Sequence, residues 1–140
     1  GNNNVVFLQD NHSRSSKGVL RGLHFQTKFS QAKLVRVSKG EIYDVVVDIR
    51  KNSKTFGLTF GITLSESNNF QLWIPEGFAH GFQVTSEYAD VLYKTTNYWY
   101  SEHEKVLLWS KDSTRPIGRK VFREIFRKIC TYSPRDPTIH

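Results

Sequence analysis

The stretch Leu34-Val35-Arg36-Val37-Ser38-Lys39-Gly40-Glu41-Ile42-Tyr43-Asp44-Val45-Val46-Val47-Asp48 consists of two runs rich in β-branched residues, broken by Ser38-Lys39-Gly40. Such side chains suit a pleated surface and the break supplies turn chemistry, so the spacing predicts two strands, Leu34 to Val37 and Glu41 to Asp48. The pattern repeats on both sides. Val19 to Phe25, Leu58 to Leu64, Gln71 to Ile74, Gly81 to Thr85 and Val91 to Thr96 are similar short segments. Lys51-Asn52-Ser53-Lys54, Ser65-Glu66-Ser67-Asn68-Asn69 and Pro75-Glu76-Gly77 punctuate them. A further strand-like run, Val5-Val6-Phe7-Leu8, follows the start almost at once. With no helical period between them as far as Trp109, these segments predict an all-β antiparallel sandwich or jelly roll.

After Trp109 the period changes. Val121, Phe122, Ile125, Phe126 and Ile129 recur at helical spacing among Arg119, Lys120, Arg123, Arg127 and Lys128, which predicts one amphipathic, basic helix. The expected organisation is a single domain over 1–140, with a β core over 1–110 and a basic, partly helical tail over 111–140. The tail holds eight Lys/Arg against three Asp/Glu, a net of +5 out of +7 for the chain. Its plain reading is an apolar stripe packed on the sandwich under a solvated basic face. A role in binding nucleic acid would rest on this tail alone, and no nucleic-acid partner is expected.

The 140 residues are enough to close a core without disulfides or metal. The single Cys130 has no partner for an internal disulfide and no ligand neighbour at zinc spacing, which favours a reducing cytoplasm. No run of about 18 apolar residues exists, and Gly1-Asn2-Asn3-Asn4 lacks a signal pattern, so neither membrane nor export is expected. A start at Gly rather than Met reads as a fragment or a tag remnant.

Several residues are candidates for chemistry. In Arg21-Gly22-Leu23-His24-Phe25-Gln26, strict alternation puts Arg21, Leu23 and Phe25 on one face and Gly22 and His24 on the other. A bulge or twist near Gly22 is therefore required before Arg21 and His24 can meet in one pocket. Alone, His24 is either a satisfied structural histidine or a base. Lys33 at a strand end is ordinarily solvated; turned into a pocket, it can stabilise a developing enolate. His80, after Pro75-Glu76-Gly77-Phe78, reads as a histidine presented at a rim or hydrogen-bonded within a loop. Tyr93, Tyr98, Trp99 and Tyr100 are packing residues unless one faces a pocket, where a tyrosine can move a proton and an indole can stack on a flat ring. Gln26 stands two residues after His24, where a second metal-binding histidine would be wanted, so no metal site is assigned.

Gln9-Asp10-Asn11-His12-Ser13, Gly18 through Gln26, Lys33 through Val37, Gly40 through Arg50 and Leu72 through Phe82, in that order, closely resemble the dTDP-4-dehydrorhamnose 3,5-epimerase family from about Phe7 to Trp109. The resemblance implies a cupin-type jelly roll (double-stranded β-helix), acting as a homodimer without metal or other cofactor. The implied reaction epimerises dTDP-4-dehydro-6-deoxyglucose at C3 and C5, the carbons flanking its ketone, towards L-rhamnose or a related deoxysugar. By motif match His24 is the base, Lys33 lies near the substrate oxygens and Tyr93 is the opposing acid. Asp136, within Tyr132-Ser133-Pro134-Arg135-Asp136, would orient His24. Gln9, Asp10, Asn11, Arg21, His80, Trp99, Glu104 and Arg135 would bind substrate, Arg21 at the diphosphate and Trp99 on thymine. Two alternatives stay open: epimerisation at C3 alone, and a truncated scaffold that binds nucleotide sugar without turnover.

Overall fold

A computed structural model describes residues 4–107. Nine strands follow in chain order: β1 Gln9–Ser16, β2 Leu20–Gln26, β3 Lys33–Lys39, β4 Glu41–Asp48, β5 Thr59–Ser65, β6 Gln71–Ile74, β7 Phe78–Val84, β8 Tyr88–Thr95 and β9 Glu104–Val106. One 3-10 turn, Ser101–His103, precedes β9. The strands form two antiparallel sheets, of order β1-β8-β3-β6 and β5-β4-β7-β2-β9. Apart from β9, which extends one edge, this is a jelly-roll order, one of the two architectures that the spacing predicts and the one that the family resemblance implies. The helix expected over 119–129 and the tail lie outside the described residues.

Alternation builds the interior. Val35 and Val37 on β3, Ile42 and Val46 on β4, Leu64 on β5, Ile74 on β6, Phe82 and Val84 on β7 and Ala89 and Val91 on β8 meet between the sheets. Leu23, Phe25, Val45, Val47, Ile49, Ala79 and Leu107 form a second cluster, with Phe56 packed against it. Val45 and Val47 alternate with Ile42, Asp44 and Val46, so β4 feeds both clusters, which explains its near-continuous apolar run.

The first strand departs from expectation. Val5, Val6 and Leu8 are exposed and precede β1, and pairing with β8 begins at Gln9 and runs to Ser16. The inward positions of β1 are Gln9, Asn11, Ser13 and Ser15, all polar. An apolar pattern cannot mark a strand whose inner face lines a wet cavity. The three-residue β9 was likewise invisible, being too short to show a period.

Candidate active site

The bulge that alternation required is present. Leu20 and Arg21 pair with Gln83 and Phe82, the register then slips, and His24 pairs with His80. Gly22 sits at the slip with φ +92°. A Cβ there would collide with the His80 carbonyl and approach the Gly81 Cα to 2.8 Å, so only glycine fits the left-handed conformation and the close strand approach. The slip turns Arg21 and His24 towards one cavity of about 290 Å³ between the sheets. One wall carries Gln9, Asn11, Lys33 and Tyr93 from β1, β3 and β8; the other carries Arg21, His24, His80 and Glu104 from β2, β7 and β9. Trp99 stands at its rim, 52% exposed.

Each ionisable group is shaped by its setting. Burial pushes the His24 imidazole below its ordinary value, with Lys33, His80 and Arg21 adding to the effect and Glu104 opposing it. His24 is thereby kept neutral, the form that accepts a proton. Its Nδ1 lies 3.1 Å from Glu104 Oε1, at ion-pair distance though without hydrogen-bond alignment. Lys33 is only 9% exposed, and burial lowers its ammonium to about 8, partly offset by the charges of Asp44 and Glu104. Its Nζ lies 6.0 Å from the centre of the Tyr93 ring. Burial raises the Tyr93 phenol, so it holds its proton. The solvated-lysine expectation therefore fails: the strand that begins at Lys33 directs it inward in phase with Val35 and Val37.

His80 is neither at a rim nor in a loop. It belongs to β7, is 6% exposed, and its Nε2 lies 2.8 Å from Asp44 Oδ2. Asp44 is fully buried, and its Oδ1 has no hydrogen-bond partner among the described residues. Sequence reasoning missed Asp44, although an aspartate inside the run Ile42 to Val47 is the signal: such a charge needs a partner. Arg21 donates from Nε and one terminal nitrogen to Ser15 Oγ, at 3.0 and 2.9 Å, which pins one edge of its fork. Ser15 was also missed.

Asp10 does not reach the cavity. It points from the outer face of β1 and pairs with Lys94 at 3.0 Å, because alternation separates it from Gln9 and Asn11. Arg135 and Asp136 lie outside the described residues; within them the carboxylate beside His24 is Glu104. No group of three or more His, Cys, Asp or Glu side chains suited to a metal is found among the described residues. Gln26 has its amide fully engaged with backbone groups.

Comparisons with known proteins identify the family. The family model for dTDP-4-dehydrorhamnose 3,5-epimerase matches residues 1–137. The enzyme of that name from Pseudomonas aeruginosa is 58% identical over 106 residues, 76% of this chain and 59% of the relative. Its counterpart from Salmonella typhimurium is 58% identical over 110 residues, 78% and 60% of the two chains. Among solved structures, a dTDP-6-deoxy-D-glucose-3,5-epimerase from Legionella pneumophila in complex with dTDP-4-keto-L-rhamnose superposes with a TM-score of 0.76 at 51% identity, covering 81% of this chain and 62% of that one. The chain spans about three fifths of the length of the two curated relatives. On sequence, architecture and the ordered motifs around the cavity, this chain belongs to the dTDP-4-dehydrorhamnose 3,5-epimerase family.

Proposed function

We propose that this protein epimerises dTDP-4-dehydro-6-deoxyglucose at C3 and C5. The observation that carries the reading is the opposition of His24 and Tyr93 on facing sheets, with the Lys33 cation in the same cavity. A proton next to a ketone becomes removable when the enolate is stabilised, so the reaction needs a base, a cation at the ketone oxygen and an acid across the ring. Neutral His24 takes the proton from carbon, Lys33 balances the charge that gathers on oxygen, and the Tyr93 phenol returns a proton to the other face. The phenolate and imidazolium then exchange with solvent. Arg21, its fork oriented by Ser15, meets the diphosphate, and Trp99 stacks on the base.

Incubation with dTDP-4-dehydro-6-deoxyglucose in deuterated buffer, followed by proton NMR, tests the reading. Loss of signal at both flanking carbons supports a 3,5-epimerase, and loss at one carbon a single-site enzyme. Binding of dTDP with no exchange leaves only a nucleotide-sugar binder. The same reading places the protein in the cytoplasm as a homodimer. Support for the dimer comes from the outer face of the four-stranded sheet, where Trp73 is exposed and Leu34 and Leu92 are half-buried. Sedimentation at micromolar concentration would show twice the monomer mass.

A further inference from the structure

Trp99 is exposed, yet its backbone is held from both sheets. From β2, Gln26 donates through Nε2 to the carbonyl of Tyr98 at 3.1 Å and accepts through Oε1 from the N–H of Tyr100 at 2.6 Å. One amide thus grips the residues on either side of Trp99. From β1, Gln9 Oε1 accepts from the N–H of Trp99 itself at 3.0 Å, while Gln9 Nε2 donates to Asn11 Oδ1 at 2.8 Å. The Gln26 amide makes a third bond, from Nε2 to the carbonyl of Phe29 at 2.8 Å. Phe29 takes a φ of +54°, which bulky residues rarely adopt, and its ring lies 4.8 Å from that of Tyr100. Gln26 lines the cavity but is only 8% exposed, and its amide is committed to these three backbone groups.

The geometry points to Gln26, assisted by Gln9, as a positioning residue that fixes Trp99 as a rigid platform for the flat ring of a nucleoside diphosphate. A segment without regular secondary structure carries a large ring at the mouth. Left free, it would have to be ordered when ligand binds; held by two glutamines, that ordering precedes binding. The Gln9 amide gives its oxygen to the Trp99 N–H and one of its two N–H groups to Asn11, so Gln9 holds Trp99 while also lining the cavity. This inference deepens the epimerase reading and rests on its assignment of the base to the Trp99 rim.

The test pairs Gln26→Met with Trp99→Ala and measures the Kd of dTDP by titration calorimetry, with kcat and KM for the nucleotide sugar from solvent exchange. Gln26→Met is expected to weaken dTDP and raise KM about tenfold, the scale of losing one stacking platform, with kcat changed less than about threefold. In a Trp99→Ala background the same change should add little, because the clamp then holds nothing that binds. Equal losses with and without Trp99, or a fall in kcat at unchanged KM, would overturn the inference. If Gln26→Met fails to fold, Gln26→Glu, which keeps the side chain's size and an acceptor for the Tyr100 N–H but cannot donate to the carbonyls of Tyr98 and Phe29, undergoes the same cycle and decides the matter. A wild-type protein that exchanges but whose dTDP affinity ignores the Gln26 substitutions refutes the clamp and leaves the epimerase standing. One that neither binds dTDP nor exchanges refutes both.

Discussion

The apolar cluster around Val37, Ile42, Leu64, Val84 and Val91 and the cavity around His24, Lys33, His80 and Tyr93 lie between the same two sheets and share the strands β3, β7 and β8. On β3 the inward positions are Lys33, Val35 and Val37; on β7 His80, Phe82 and Val84; on β8 Val91 and Tyr93. One step of two residues along a strand changes the surroundings from dry packing to ionisable groups. The difference teaches that inward direction alone does not make a core. In the apolar region every inward side chain contributes by leaving water, whereas in the cavity Lys33 is held near 8 and His24 below its ordinary value at a cost that stabilises nothing in the fold. The apolar region supplies the stability that this arrangement spends.

Substitutions can separate the two regions, and the largest effect should fall on chemistry. His24→Ala is expected to slow deuterium exchange at both flanking carbons by about 10²- to 10⁴-fold, the usual worth of a positioned base, with little change in denaturant midpoint. A comparable loss of stability would erase the distinction between core and cavity. In the opposite sense, Leu64→Ala, at a fully buried position, should cost about 2–5 kcal/mol in urea unfolding while the folded fraction keeps its exchange rate.

Lys33→Met should slow exchange and yet stabilise the fold. With its folded value near 8 and its ordinary value at 10.5, the ammonium holds its proton more weakly in the folded chain than in the unfolded one. The unfolded chain therefore binds more protons between those pH values, and stability rises as pH climbs from about 8 to about 10.5. Below about 8 the cost is present in full, on the order of 3 kcal/mol. Denaturation of the variant at pH 7 should show a gain of that order, and the rise above pH 8 should vanish; a variant no more stable than the parent would contradict the cost assigned to this lysine.

Smaller effects concern the pH dependence of exchange. The alkaline limb should have its midpoint near 8, where Lys33 loses its charge, while Tyr93, raised by burial, still holds its proton. The acid limb should fall below the ordinary imidazole value, since burial disfavours the charged form of His24. Glu104 opposes that effect, so Glu104→Gln should move the acid limb lower still. An acid limb that stays in place or moves upward would show that Glu104 does not act on His24 in the working site.

Much of this was legible in the chain, and the exceptions have a common cause. Glu41 to Asp48 and Gln71 to Ile74 were readable to the residue, and the need for a bulge at Gly22 followed from alternation alone. The strand Gln9–Ser16 was not readable, because a wall of polar side chains carries no apolar period. Asp10 was grouped with Gln9 and Asn11 as a motif, although the side chain of a middle residue in a strand must point the other way. Asp44 was hidden inside an apolar run, and its partner His80 is 36 residues away.

The sequence by itself determined the strands that carry an apolar period, the all-β class, the family and the candidates His24, Lys33 and Tyr93, because local side-chain chemistry and the order of motifs are written along the chain. Only the tertiary structure decided that Lys33 is buried, that Asp44 binds His80, that Glu104 lies beside His24, and that Gln26 and Gln9 grip Trp99 from two sheets. Each of these depends on register between strands far apart in the chain. Register is a property of the packed sheets, and a slip of one residue would turn every one of these side chains to the opposite face.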